Sequence, residues 1–394
     1  AISSHADDGN AQQQAVLTDN VIEDNNITVI QQEPVFKYAA KSPDYKEMLD
    51  GDIQSPYVAL LDVTNNQLIA GKQADTRIYP ASMTKVMSLI IAVENIQDLN
   101  KTYRFGFEEL NNLYIQQASV AGFSVDEEVT ANDLLYGLML RSGNDAAIAL
   151  ACYVGGSIEG FSMLMNDLAK SIGMNNSNFI NPSGLENDDG VGNISTAYDM
   201  GLLMSYAMKN DIFRKITSTK HRVVKTNYKT YDWYNKNKLL SMYKYTTGGK
   251  TGYTKKAYRT LVTSASKDNK NLVVVTLDES DDFNKHKYLY KDTFKKYKLV
   301  KVVDSKTFLK NEGLKVDKDI NMLLKDSEIN KVEVDVVYTD DVTDRVGYVN
   351  VSLNDKVYFK EDIFLMTEKD KKNSIFSKIK DKIIEENKKV KWYP

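Results

Sequence analysis

The chain of 394 residues carries 51 Lys and Arg against 54 Asp and Glu, a net charge of -3, and is 42% hydrophobic. Such a length holds two domains and a large core, and such a composition excludes fibrous and disordered classes. The near-balance of charge excludes the global basic field of a nucleic-acid binder, so no nucleic-acid partner is expected.

Residues 1–36 hold six acidic side chains and no Lys or Arg, with polar runs such as Gln12-Gln13-Gln14 and Asn25-Asn26, and read as a flexible acidic leader. The chain begins at Ala1 without an initiator Met, as a secreted chain with its signal removed or a shortened chain would. Order is expected from near Ser55, where Tyr57 to Val63, the turn Asn65-Asn66 and Gln67 to Ala70 read as a hairpin. Tyr79-Pro80-Ala81-Ser82 then opens a helix whose run Val86 to Val93 is apolar on almost every face, the mark of an enclosed helix.

Residues 95–170 read as mainly helical, with a polar break at Arg141-Ser142-Gly143-Asn144-Asp145 that puts Ser142 and Asn144 on a loop. Asn181-Pro182-Ser183-Gly184-Leu185 is a turn by composition, and Ala197 to Met208 is helical again. Strands are expected at Gly248 to Thr254, Thr260 to Ala265 and Leu272 to Leu277, and a helix from Tyr288 to Tyr297. From Leu299 the texture turns to short strands, with Val332 to Tyr338, Val346 to Leu353, the turn Asn354-Asp355 and Val357 to Leu365. The expected organisation is therefore a leader at 1–36, a catalytic domain at 37–298, a small all-β domain at 299–367 and a tail at 368–394. The fold class is α+β.

Ser82 and Lys85 are i and i+3, so on a helix they share one face, roughly 4.5 Å apart along the axis, and the amine can reach the hydroxyl. The pattern Ser-x-x-Lys alone carries no information, since it recurs at Ser241/Lys244, Ser264/Lys267 and Ser377/Lys380. Ser-x-Asn occurs at Ser142/Asn144 and at Ser352/Asn354, whereas Lys-Thr-Gly occurs once, at Lys250-Thr251-Gly252. Taken singly, Ser142 reads as a helix cap and Lys250 to Gly252 as a strand end. The order Ser82, Ser142, Lys250, each on a suitable element, makes a joint accident improbable.

These three motifs form the signature of penicillin-binding proteins and class A β-lactamases. Ala81-Ser82-Met83-Thr84-Lys85, Arg141 to Ala147, Asn181-Pro182-x-Gly184-Leu185 and Lys250 to Thr254 resemble, more closely, the low-molecular-weight D-alanyl-D-alanine carboxypeptidases of peptidase family S11. The resemblance covers about residues 38–366. It implies a transpeptidase-type domain, an antiparallel sheet with helical layers, followed by a small all-β domain. Two positions depart from the family: many members have His where Ser183 and Asn193 stand. Nothing like the Glu-x-x-Leu-Asn loop of class A β-lactamases follows Asn144, and the intact motifs argue against a scaffold with a dead site.

The resemblance implies a serine hydrolase that acts on peptidoglycan stem peptides ending in D-Ala-D-Ala and is inhibited covalently by β-lactams. Ser82 would be the nucleophile and Lys85, neutral through burial and the nearby cation Lys250, its base. Ser142 would relay a proton and Asn144 would hold Lys85. The amides of Ser82 and Tyr253 would form an oxyanion hole. Lys250, Thr251 and Gly252 would take the terminal carboxylate and the substrate backbone, and Lys285 is a candidate for the same carboxylate. No cofactor is implied. A single cysteine, Cys152, and histidines scattered at 5, 221 and 286 offer no conventional zinc cluster, so no metal is expected either.

No apolar run approaches the ~18 residues that span a bilayer. The tail at 368–394 holds nine Lys against five acids, with Ile375, Phe376, Ile379 and Ile383 at helical spacing. It reads either as an interfacial helix on an anionic membrane or as a solvated helix packed on the β domain. The expected location is extracytoplasmic, secreted or attached to the outer face of the cytoplasmic membrane.

Overall fold

The computed structural model describes residues 41–339 and 344–370. The leader, and the tail beyond residue 370, lie outside the described residues. The described residues separate into two compact units, one formed by 41–301 together with 321–331, the other by 302–320, 332–339 and 344–370.

The first unit is built on a six-stranded sheet. Its strands in chain order are β1 (Lys41–Glu47), β2 (Tyr57–Asp62), β3 (Gln67–Lys72), β4 (Thr246–Thr254), β5 (Tyr258–Lys267) and β6 (Lys270–Leu277), arranged β1-β3-β2-β6-β5-β4. β4 is therefore an edge strand among the described residues. The β5–β6 hairpin turns at Asp268 and Asn269, both with φ near +55° (50° and 60°), the left-handed pair that a two-residue hairpin requires. The edge strand β1, which pairs in parallel with β3, was not legible in the polar segment Lys41-Ser42-Pro43-Asp44-Tyr45-Lys46-Glu47. Edge strands face little core, so they need no apolar alternation.

Both faces of the sheet are covered, and side chains alternate between them with the two-residue period of a strand. Ala59, Leu61, Val273 and Val275 join the main core with the helices, whereas Val58, Leu60, Leu272 and Val274 pack on Leu289, Tyr290 and Phe294. The helices of ten residues or more, in chain order, are α1 (Lys85–Asn95), α2 (Ala131–Leu140), α3 (Asn144–Gly155), α4 (Ile158–Ser171), α5 (Ala197–Ala207) and α6 (Asp282–Lys296). α1 is enclosed, with Lys85 through Val93 buried, and each Leu or Ile side chain hidden there contributes about 1.5–3 kcal/mol. His286 of α6 is buried between Thr263 of β5 (2.7 Å) and Thr276 of β6 (2.9 Å), and burial pushes its pKa down to about 3. A neutral imidazole thus ties helix to sheet.

The second unit carries a four-stranded antiparallel sheet of β7 (Leu314–Val316), β8 (Val332–Tyr338), β9 (Arg345–Leu353) and β10 (Lys356–Leu365), in the order β7-β10-β9-β8. Val349, Val351, Leu353, Phe359 and Ile363 are buried in it. Asn354 and Asp355 both adopt positive φ (52° and 61°), so the turn foreseen there is a tight hairpin.

Candidate active site

Ser82 stands on a 3-10 turn, Ala81–Thr84, that runs into α1 at Lys85, not on the α-helix itself. The tighter turn follows from what grips its start: Thr260 Oγ1 donates to Pro80 O (3.1 Å), and Ala81, fully buried, is forced to φ +49°. Ser142 has φ +59°. Left-handed backbone at a non-glycine residue costs about 1–3 kcal/mol, and here it occurs at or beside both serines of the motifs. Asn144 is not a loop residue, because it opens α3 behind Gly143.

The centre of the site is the Lys85 amine, which is wholly buried. Its Nζ lies 2.9 Å from Ser82 Oγ, 2.7 Å from Asn144 Oδ1 and 2.8 Å from the Ser183 backbone carbonyl. A carbonyl oxygen only accepts, so Asn144 and Ser183 take the two hydrogens of a neutral amine. In that form the remaining lone pair faces Ser82, whose hydroxyl donates to it, whereas the charged amine donates to Ser82 Oγ. Burial lowers the Lys85 pKa to about 7, with Lys236 pushing in the same direction and Asp145 opposing. Lys236 is thus the neighbouring cation acting on Lys85. The repulsion with Lys250 shows on the other partner: Lys250 is buried and held well below the ordinary lysine range by burial first, then by Lys85 and Lys236. Lys250 Nζ donates to the Thr251 carbonyl (2.6 Å).

The departures from the family pattern at Ser183 and Asn193 have structural answers. Ser183 meets Lys85 through its main chain, which any residue supplies. Asn193 is buried, accepts from the amides of Ile180 (2.7 Å) and Asn181 (3.1 Å), and donates to Thr84 Oγ1 (3.1 Å) and Asn181 O (2.9 Å). These bonds fasten residues 180 and 181 to Thr84 on the turn that carries Ser82.

Gly252 of β4 lies opposite Thr260 of β5 and against the nucleophile turn. A Cβ there would sit 2.3 Å from Thr260 Oγ1 and 2.9 Å from the Ser82 amide nitrogen. Only glycine leaves that N–H open to an oxyanion.

These elements border a cleft of about 690 Å³ lined by Ser82, Ser142, Thr251, Gly252 and Tyr253. Ser119, Lys236 and Lys238 form one part of its wall, and Arg259 with residues 280–284 another. Lys285 is not among the lining residues; it sits half-buried on α6. The cation on that side is Arg259, placed across the ladder from Tyr253, with Nη2 2.6 Å from the buried Asp282 carboxylate. Sequence reasoning missed Arg259 and Lys236. The signal for Arg259 was its place in the hairpin after Lys-Thr-Gly, directly opposite Tyr253.

A serine on a turn at a helix start, a buried lysine of lowered pKa, a second serine loop and an edge strand with Lys-Thr-Gly define a protein of the penicillin-binding-protein fold with a serine–lysine site. The chain belongs to the D-alanyl-D-alanine carboxypeptidase family, peptidase S11, whose model matches residues 40–281. It is 32% identical over 226 residues to D-alanyl-D-alanine carboxypeptidase DacF of Bacillus subtilis, a match covering 56% of each chain, so the chain spans little more than half of that relative. It is 35% identical over 223 residues to the D-alanyl-D-alanine carboxypeptidase of Streptomyces sp. K15, covering 52% of this chain and 74% of that one. Among solved structures, the D-alanyl-D-alanine carboxypeptidase of Mycobacterium tuberculosis H37Rv superposes with a TM-score of 0.56 at 28% identity, over 61% of this chain and 91% of that one.

Proposed function

We propose that this protein is a serine D,D-carboxypeptidase that removes the terminal D-alanine from peptidoglycan stem peptides ending in D-Ala-D-Ala, through an acyl-enzyme on Ser82. The observation that carries the reading is the 2.9 Å approach of a buried Lys85 amine to Ser82 Oγ, with both amine hydrogens already committed elsewhere. Ser82 Oγ attacks the carbonyl of the penultimate D-alanine while Lys85 takes its proton. The amides of Ser82 and Tyr253 receive the oxyanion. Collapse breaks the peptide bond, and the leaving amine gains a proton relayed from Lys85 through Ser142. Water then hydrolyses the ester and Ser82 regains its hydrogen. A β-lactam enters the same first step and remains as a covalent adduct.

The terminal carboxylate goes to Thr251, Lys250 and Arg259, the last replacing Lys285 in that role. An anion beside Lys250 favours its charged form, so binding itself restores the attraction. The test is release of free D-alanine from a peptide ending in D-Ala-D-Ala; well-folded protein that releases none rules the reading out. Arg259→Ala in the same assay is expected to lower kcat/KM by about 10- to 100-fold, the value of a hydrogen bond to a charged group. An unchanged kcat/KM removes Arg259 from the site.

The polymer that supplies this substrate lies outside the cytoplasmic membrane, so the protein is proposed to work there, secreted or held on the outer face. Among the described residues no single helix is long and apolar enough to cross a membrane. Attachment is proposed to run through residues 374–391, with Ile375, Phe376, Ile379 and Ile383 toward lipid and each lysine adding about 1 kcal/mol near an anionic surface. Co-sedimentation with anionic vesicles should be lost when the chain is ended at Lys372. Equal binding by the two chains removes the tail as the anchor.

A further inference from the structure

Asp145 follows Asn144 on the first turn of α3, is 1% exposed, and has no task in the reaction just described. Its partners are backbone amides. Oδ1 accepts from Ala121 N (2.8 Å) and Ala146 N (2.9 Å), and Oδ2 from Gly122 N (2.9 Å) and Phe123 N (3.2 Å). Three of those donors belong to the segment 119–123, whose first residue, Ser119, lines the cleft. The same segment receives the Asn144 amide on Ser119 O (2.9 Å) and the Lys236 ammonium on Ser119 Oγ (3.2 Å). Gly143 makes room for the arrangement. A Cβ there would stand 2.7 Å from Asp145 Oδ1 and 3.0 Å from Ala121 N.

We propose that Asp145 is a positioning residue for acylation: its buried carboxylate ties the wall segment 119–123 to the catalytic turn 142–144 and sets a negative charge one residue from Asn144, which holds the Lys85 amine. The charged groups around that amine are Lys236 from the segment before β4, Lys250 from β4 and Asp145 from α3. Asp145 alone favours the ammonium form, offsetting burial and Lys236. The carboxylate therefore does two things through Asn144 and Lys85, and touches no substrate. The proposal rests on the assignment of Ser82 and Lys85 above.

The experiment compares wild type, Asp145→Asn and Glu127→Gln as full chains, by the rate of acylation with a fluorescent penicillin from pH 5 to pH 9 and by amide hydrogen exchange. Glu127 is the control because it is also buried and fastens the adjoining loop, through Ser124 N (2.8 Å) and Tyr231 OH (2.7 Å), whereas the charges acting on Lys85 are Lys236 and Asp145. Asp145→Asn should speed exchange at 121–123 and slow acylation at pH 8 by about 10- to 100-fold, the scale of a small misplacement of a reacting group. Its acidic limb should move to lower pH, since removing a negative charge disfavours the Lys85 ammonium. Glu127→Gln should leave the limb where wild type has it. An unmoved limb in Asp145→Asn, or an equal shift in both variants, overturns the proposal. Exchange in wild type reads the tie without any variant, and unprotected amides at Ala121, Gly122 and Phe123 also overturn it. A wild type that is never acylated refutes the assignment of Ser82 instead, and leaves the exchange test of the tie standing.

Discussion

Replacing Ser82 with alanine should abolish covalent labelling by a fluorescent penicillin, a loss of more than about 10⁴-fold in acylation, because Ser82 Oγ is the hydroxyl hydrogen-bonded to the Lys85 amine. The fold should survive. The side chain is only partly buried and its single hydrogen bond contributes about 1 kcal/mol, so the melting temperature should move by no more than about 5 °C. Ser241, Ser264 and Ser377 offer the same Ser-x-x-Lys spacing, which makes the variant a choice among four serines. Equal labelling of wild type and Ser82→Ala would show that the nucleophile is one of the others.

Lys85→Met should separate activity from stability. Loss of the base is expected to cost about 10²- to 10⁴-fold in acylation at pH 8. In wild type, the acylation rate should rise as pH climbs through about 7, where the buried amine becomes neutral. The stability effect has a defined sign. The Lys85 pKa falls from 10.5 in an exposed chain to about 7 in the folded one, so between those values the unfolded chain binds more protons and stability increases with pH. The cost of the buried amine is therefore full below about pH 7 and fades toward pH 10.5. Methionine has no such term, so its stability relative to wild type should be about 2–3 kcal/mol more favourable at pH 6 than at pH 9. The orphaned carbonyls of Asn144 and Ser183 weigh equally at both pH values and cancel in that difference. A relative stability independent of pH would mean that Lys85 is not a depressed amine, and the base would have to be sought elsewhere.

The constellation around Ser82 was legible because its parts are local patterns. Ser82 and Lys85 are one helical turn apart, and the apolar run after them could only be an enclosed helix. Asn144 and the stretch from Lys250 to Tyr253 are likewise short motifs on recognisable elements, and the structure brings Asn144 to Lys85 and puts Thr251, Gly252 and Tyr253 in the cleft wall. The hairpin at Asn354-Asp355 was legible for the same reason, since a left-handed pair of residues leaves its mark in two adjacent letters.

Other features came from contacts that no spacing encodes. Arg259 becomes the cleft cation because β4 and β5 pair in a register that sets it across from Tyr253, and because Asp282 arrives from the start of α6 to hold it. Lys285 lies three residues beyond Asp282, yet the helix leaves it outside the cleft lining. The Ser183 carbonyl serves Lys85 through an atom every residue has, so residue identity could not announce it. Lys236 acts on Lys85 from 151 positions further along the chain. The sequence by itself determined which serine, which lysine and which strand come together at the cleft, since helix period, turn chemistry and short motifs act over a few residues. Which cations surround that base, which carboxylate anchors the wall of the cleft and how far Lys85 is driven toward neutrality were decided only by the tertiary structure, because burial and charge proximity are set by segments distant in sequence.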